Sequence, residues 1–71
     1  MPYTATTELP PPIRKFLPHH AQEIYLAAFN EAHDHYGPAH EDTAHRIAWA
    51  AVKRHYIRRG TGIWVRRTVH A

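Results

Sequence analysis

At 71 residues the chain has room for one domain with one small core, near the size at which packing alone suffices to hold a fold. It contains no Cys and no Ser, which excludes a disulfide framework, a Cys-based zinc finger and the commonest catalytic nucleophiles. The net charge of +3 conceals an asymmetry: residues 1–42 hold six acids against Arg14 and Lys15, whereas residues 43–71 hold seven basic side chains and no acid, giving an anion-seeking C-terminal half.

The chain opens on MPYTATTELPPP, which lacks the basic and apolar segments of a secretory signal, and no apolar run approaches the roughly 20 residues of a membrane span. A soluble, cytoplasmic domain is expected, with residues 1–8 as an extended piece around Tyr3. The prolines at 10–12 suit the first turn of a short helix, with Ile13, Phe16 and Leu17 as its apolar contacts, and Leu17-Pro18 stops it. A long helix follows from His19 or His20 to Tyr36. Its apolar line is Ala21, Ile24, Tyr25, Ala28, Phe29, Ala32 and Tyr36, and Glu23, Asn30, Glu31 and Asp34 fall on its back. Gly37-Pro38 ends that helix, and the gap to the next is so short that the two must be antiparallel neighbours.

The stretch EDTAHRIAWAAVKRHY, residues 41–56, is the core helix on which the rest packs. Ala44, Ile47, Ala48, Ala51 and Val52 share one face, Trp49 and Tyr56 flank it, and Arg46, Lys53 and Arg54 lie away from it. The helix is expected to run through Arg58-Arg59 and to stop at Gly60. Ile63-Trp64-Val65 reads as a short strand, whose expected partner is the extended piece near Tyr3, tying the termini together. Residues 66–71 are expected to form a flexible basic tail.

Eight histidines raise the question of metal binding. His33, His35, His40 and His45 gather with Asp34, Glu41 and Asp42 around the interhelical turn, and imidazole with carboxylate suits zinc or nickel. His33 and His35 nevertheless diverge around the helix and there is no HxxxH pair. His35, His40 and His45 are thus only weak candidates for ligands, surface histidines are the simpler reading, and no metal or cofactor is expected. His45 points into the arc between Val52 and Trp49, which suits a half-buried imidazole bonded to backbone or carboxylate. His20 begins the long helix, and Tyr25, Phe29, Tyr36 and Trp49 read as core. Nothing pairs the acids across a cleft and no Gly-rich phosphate loop is present, so catalysis is not expected. The surface best suited to a partner is the basic half: Arg46, Lys53, Arg54, Arg58, Arg59, Arg66 and Arg67, interleaved with Tyr56 and Trp64.

Four stretches carry a resemblance to the ChaB family: MPY at 1–3, the Leu9-Pro10 to Leu17-Pro18 frame, HAQEIYLAAFNEA from His20 to Ala32, and TAHRIAWAAVKRHY from Thr43 to Tyr56. The resemblance covers roughly positions 1–58 in order. It implies a compact, mostly helical domain with a minor β element, in which His20, Tyr25, Phe29, His45 and Trp49 are structural members of the family motifs. It also implies a non-catalytic regulator that contacts the cytoplasmic part of a cation/proton antiporter. Better-known relatives carry a longer acidic linker between the long helices and a C-terminus of mixed charge. Here the linker is only residues 37–42 and the C-terminus is purely basic.

The expected architecture is thus one mainly α domain over residues 1–71, with two long antiparallel helices, a short N-terminal helix and a minor two-strand pairing of the termini. The alternative to an antiporter regulator is a sequence-independent nucleic-acid-binding protein using the basic half, whose binding salt would abolish. A histidine-based metal buffer comes third.

Overall fold

A computed structural model describes residues 3–60 and 62–67 of the protein, and three α-helices and a β-hairpin make up the frame of these described residues. Helix α1 spans Pro11–Phe16, α2 His19–Tyr36 and α3 Glu41–His55, followed by strands β1, Tyr56–Arg59, and β2, Ile63–Arg66. The class is that expected from the sequence: mainly helical, with a single two-stranded antiparallel sheet among the described residues.

Helices α2 and α3 are the frame. Phe29 meets His45 at 4.6 Å between ring centroids, Tyr25 meets Trp49 at 5.4 Å and His20 meets Tyr56 at 6.4 Å. Moving back along α2 moves forward along its partner, so the two run antiparallel. The turn between them is tight because Gly37 takes φ 87° and ψ 169°, a region reserved for glycine, and the 3₁₀ turn Pro38–His40 leads straight into α3. Glu41 and Asp42 then occupy the first turn of α3 and Lys53 and Arg54 the last, each sign at the end of the helix dipole that favours it.

The buried line on α2 is Ala21, Tyr25, Phe29 and Ala32, and on α3 it is Ala44, Ala48 and Val52. Alanines at the centre of α3 let the helices approach until the two rings of α2 fill the seam; Tyr25 and Phe29 are 0% and 1% exposed. Leu9, Ile13 and Leu17 close one side of this core. The expected apolar faces were too wide. Ile47 and Tyr36 are exposed and Ala51 half-buried, because the described residues place no further layer over that flank. Phe16 is also exposed, since a helix of under two turns buries one side and Ile13 and Leu17 take it.

Asn30 departs furthest from the sequence reading, which put it on the polar back of α2. It is buried, and its side-chain amide grips the backbone of Tyr3: Nδ2 donates to the Tyr3 carbonyl at 2.7 Å, and Oδ1 accepts from the Tyr3 N–H at 3.2 Å. These are the two bonds that a neighbouring strand would have supplied. Tyr3 therefore pairs with a side chain and rests its ring 5.1 Å from that of Phe29, and it does not pair with β2. The N-terminal piece is not extended throughout, because Thr6–Glu8 forms a 3₁₀ turn. Gln22 ties α1 to α2 by donating to the Leu17 carbonyl at 2.8 Å and the Arg14 carbonyl at 3.1 Å, which serves carbonyls left open at the end of α1.

The partner of β2 is its own predecessor. Helix α3 ends at His55, four residues before the expected stop at Arg59, and Tyr56–Arg59 becomes β1. Tyr56 pairs with Arg66, Ile57 with Val65, Arg58 with Trp64 and Arg59 with Ile63. Gly60 and Gly62, both at positive φ, make the turn. A local hairpin closes at less entropic cost than a sheet joining the two ends of the chain, and it buries Tyr56. The start of the expected flexible tail is also held: Arg66 belongs to β2, and the Arg67 N–H donates to the His55 carbonyl at 2.8 Å. Residues 68–71 of that tail and residues 1–2 of the expected N-terminal piece lie outside the described residues.

Candidate interaction site

The hairpin folds back over the end of α3 and leaves a hollow of about 690 Å³ between itself, α3 and α1. Pro12 and Phe16 come from α1, Trp49 and Lys53 from α3, and Tyr56, Ile57, Arg58, Gly62, Trp64 and Arg67 from the hairpin and its end. Strand alternation explains the floor: Tyr56 and Trp64 share a face of the hairpin, so burying Tyr56 turns Trp64 toward α3, where its ring lies 5.4 Å from that of Trp49. Gly62 sits beside Phe16, and a Cβ at this position would meet the Phe16 ring at 3.7 Å and the Arg58 guanidinium at 3.8 Å.

The candidate cations separate into groups. Lys53, Arg58 and Arg67 stand around the hollow. Arg67 also donates from Nε to the Lys53 carbonyl at 2.7 Å, a cation closing the negative end of α3. Arg46 is a turn or more away on α3, 3.6 Å from Asp42. Arg54 borders a different hollow between α2 and α3, with Glu31, Tyr36 and Ile47. Arg59 and Arg66 are exposed on the hairpin and do not line the first hollow. Phe16, Pro12, Ile57 and Gly62 escaped the sequence reading as members of a site. The signal was the GxG turn at Gly60 and Gly62 between two β-prone runs, which folds Gly62 back beside Phe16 at the end of α1.

Among the motif residues, His45 is half-buried as expected, but its partner is neither backbone nor carboxylate: Nδ1 is bonded to the Tyr25 hydroxyl. Burial pushes the Tyr25 hydroxyl well above the ordinary tyrosine range, so its O–H stays protonated and available to donate. Phe29 and Trp49 pack against the same pair. His20 is exposed at the start of α2, 3.6 Å from Glu23. His35 is exposed with its ring edge-on to Tyr36 at 4.7 Å, and His40 is exposed in the interhelical turn. No group of three His, Cys, Asp or Glu side chains able to hold a metal ion occurs among the described residues. Likewise, no helix among them is long and apolar enough to cross a membrane.

The family model described as ChaB matches residues 9–67. The "Putative cation transport regulator ChaB" of Escherichia coli (strain K12) is 40% identical over 76 residues, which covers 96% of this chain and 100% of the relative. The protein of the same name from Shigella flexneri aligns with the same identity and coverage. A solved structure, the "NMR solution structure of the putative cation transport regulator ChaB", superposes with a TM-score of 0.83 at 39% identity, covering 94% of this chain and 100% of that one.

Proposed function

Because the chain belongs to the ChaB family, we propose that it is a non-catalytic regulatory protein that acts by contact with the cytoplasmic part of a cation/proton antiporter. The observation that carries this reading is the likeness, over nearly the whole chain, to relatives named as regulators of cation transport. The shape of the molecule agrees with a contact role. Its candidate site is an open hollow of aromatic rings and cations on a helical frame, a composition typical of protein interfaces, where aromatics and Arg are enriched. The paired side chains of acid–base or nucleophilic catalysis are not assembled among the residues that line it.

The test is reconstitution. A cation/proton antiporter from the same host is placed in vesicles, and cation-driven proton exchange is followed with a pH-sensitive dye, with and without the protein on the cytoplasmic side. A saturable change in exchange rate is expected. Unchanged exchange, together with no heat of binding to the purified antiporter, overturns the reading.

A further inference from the structure

We propose that the hollow between α1, the end of α3 and the hairpin is a docking site for an acidic peptide segment that carries an apolar anchor. The inference rests on the regulatory reading above and deepens it by naming the chemistry of the segment recognised.

The floor calls for an apolar group. Trp49 and Trp64 lie against each other and are only half-buried, while Phe16 stands 45% exposed at the rim. A side chain of leucine or phenylalanine size, inserted between Phe16 and Trp64, removes this apolar surface from water. The rim calls for anions. Lys53, Arg58 and Arg67 surround the floor, no carboxylate is among the residues that line it, and the Lys15 ammonium lies 5.6 Å from the centroid of the Phe16 ring. Arg67 has its Nε committed to the Lys53 carbonyl, which restricts the plane of the guanidinium at the edge of the floor. An uncharged apolar ligand would crowd these cations under a lid of low dielectric, whereas glutamates or aspartates flanking the anchor neutralise them.

The same arrangement disfavours a nucleic acid in the hollow. Stacking successive bases along a strand needs several separate aromatic platforms, whereas Trp49 and Trp64 lie against each other as one patch. A phosphate backbone needs a continuing track of cations, whereas Arg46 and Arg54 lie elsewhere on α3 and Arg59 and Arg66 lie outside the hollow. A single concavity ringed by positive charge fits one or two anchoring side chains with acids beside them.

The two tryptophans are the only ones in the chain, so their fluorescence reports on this hollow directly. The probe is a synthetic glutamate-rich helical peptide with two leucines one turn apart, titrated into the intact protein. Binding of roughly micromolar strength is expected, weakened about tenfold by Arg58→Gln or Lys53→Gln in the protein, and to a similar degree by leucine-to-alanine replacement in the peptide. Circular dichroism verifies that both protein variants remain folded. No fluorescence change with the folded protein overturns the proposal. So does equal binding of the alanine peptide, which reports charge alone, or tighter binding of a thymidine oligonucleotide that displaces the peptide. If Arg58→Gln and Lys53→Gln abolish peptide binding but leave regulation of the antiporter intact, this inference fails and the regulatory reading stands. Peptide binding without any effect on the antiporter retains the site and removes the regulatory reading.

Discussion

Replacing Asn30 with alanine removes both bonds to the Tyr3 backbone at once. Each is worth about 1 kcal/mol net, and the Tyr3 groups they serve are half-buried, so water replaces them incompletely. The variant also loses the anchor that holds the Tyr3 ring against Phe29. A destabilisation of about 2 kcal/mol follows, which in a domain of this size lowers the melting temperature by roughly 8–16 °C. Thermal denaturation by circular dichroism measures it, and hydrogen exchange at the Tyr3 amide tells global loss from local release of the N-terminal piece. Asn30→Asp is the sharper companion. It keeps the acceptor for the Tyr3 N–H but sets a carboxylate against the Tyr3 carbonyl at a buried position. Burial and that carbonyl raise the introduced acid above its unfolded value, so stability is greatest in acid and falls as pH rises through the folded pKa. A drop of less than about 2 °C for Asn30→Ala, with Tyr3 exchange unchanged, would refute the role assigned to Asn30.

Tyr25→Phe keeps the ring but deprives the half-buried His45 Nδ1 of its partner, and should cost about 1–2 kcal/mol in urea unfolding. Burial raises the Tyr25 pKa above the unfolded value near 10, so the wild type holds its stability below that pH and loses it above; the phenylalanine variant should lose less, and equal alkaline loss in both contradicts the assignment. Trp64→Ala strips the cover from Trp49 and should cost about 2 kcal/mol, less than a fully buried aromatic, with the remaining emission moving to longer wavelength; an unmoved emission shows that the rings do not stack. At the N-terminus, the Thr4 N–H and hydroxyl donate to Glu8 at 2.9 and 2.8 Å and hold its carboxyl below its usual value of 4.5. That contribution is present above about pH 4.5 and is lost as pH falls through the lowered value, so the Thr4 amide resonance should titrate in acid in the wild type and become flat in Glu8→Gln.

The long helices were legible because their apolar residues recur every three or four positions and Gly37-Pro38 punctuates them. Where α3 ends was not. Tyr56-Ile57-Arg58-Arg59 suits helix or strand equally, and only its pairing with Ile63–Arg66 decides the matter. The GxG turn between two β-prone runs was the available sign of a hairpin, and it points to a local partner over a distant one. Ile47 and Tyr36 carry the periodicity of core residues, but periodicity does not reveal how many neighbours a helix will have. Asn30 was unreadable for a different reason. An amide on a polar face looks solvated until a backbone 27 positions away arrives to meet it. In the candidate site, the cations and Trp64 were visible as composition. Their division between the hollow and other surfaces depended on the hairpin turning back, which composition does not encode.

The junction at Tyr56, where helix becomes strand without a connecting loop, has a mechanical meaning. Arg67 crosses the same junction from the other side, bonding to the carbonyls of both His55 and Lys53, so the hairpin is pinned to the helix along both of its legs. A flap needs a slack joint, and there is none here. The hairpin is better regarded as a continuation of α3 than as an appendage: Trp64 lies on Trp49, and Trp49 and His45 in turn meet Tyr25, so one line of side-chain contacts runs from the hairpin through α3 to α2.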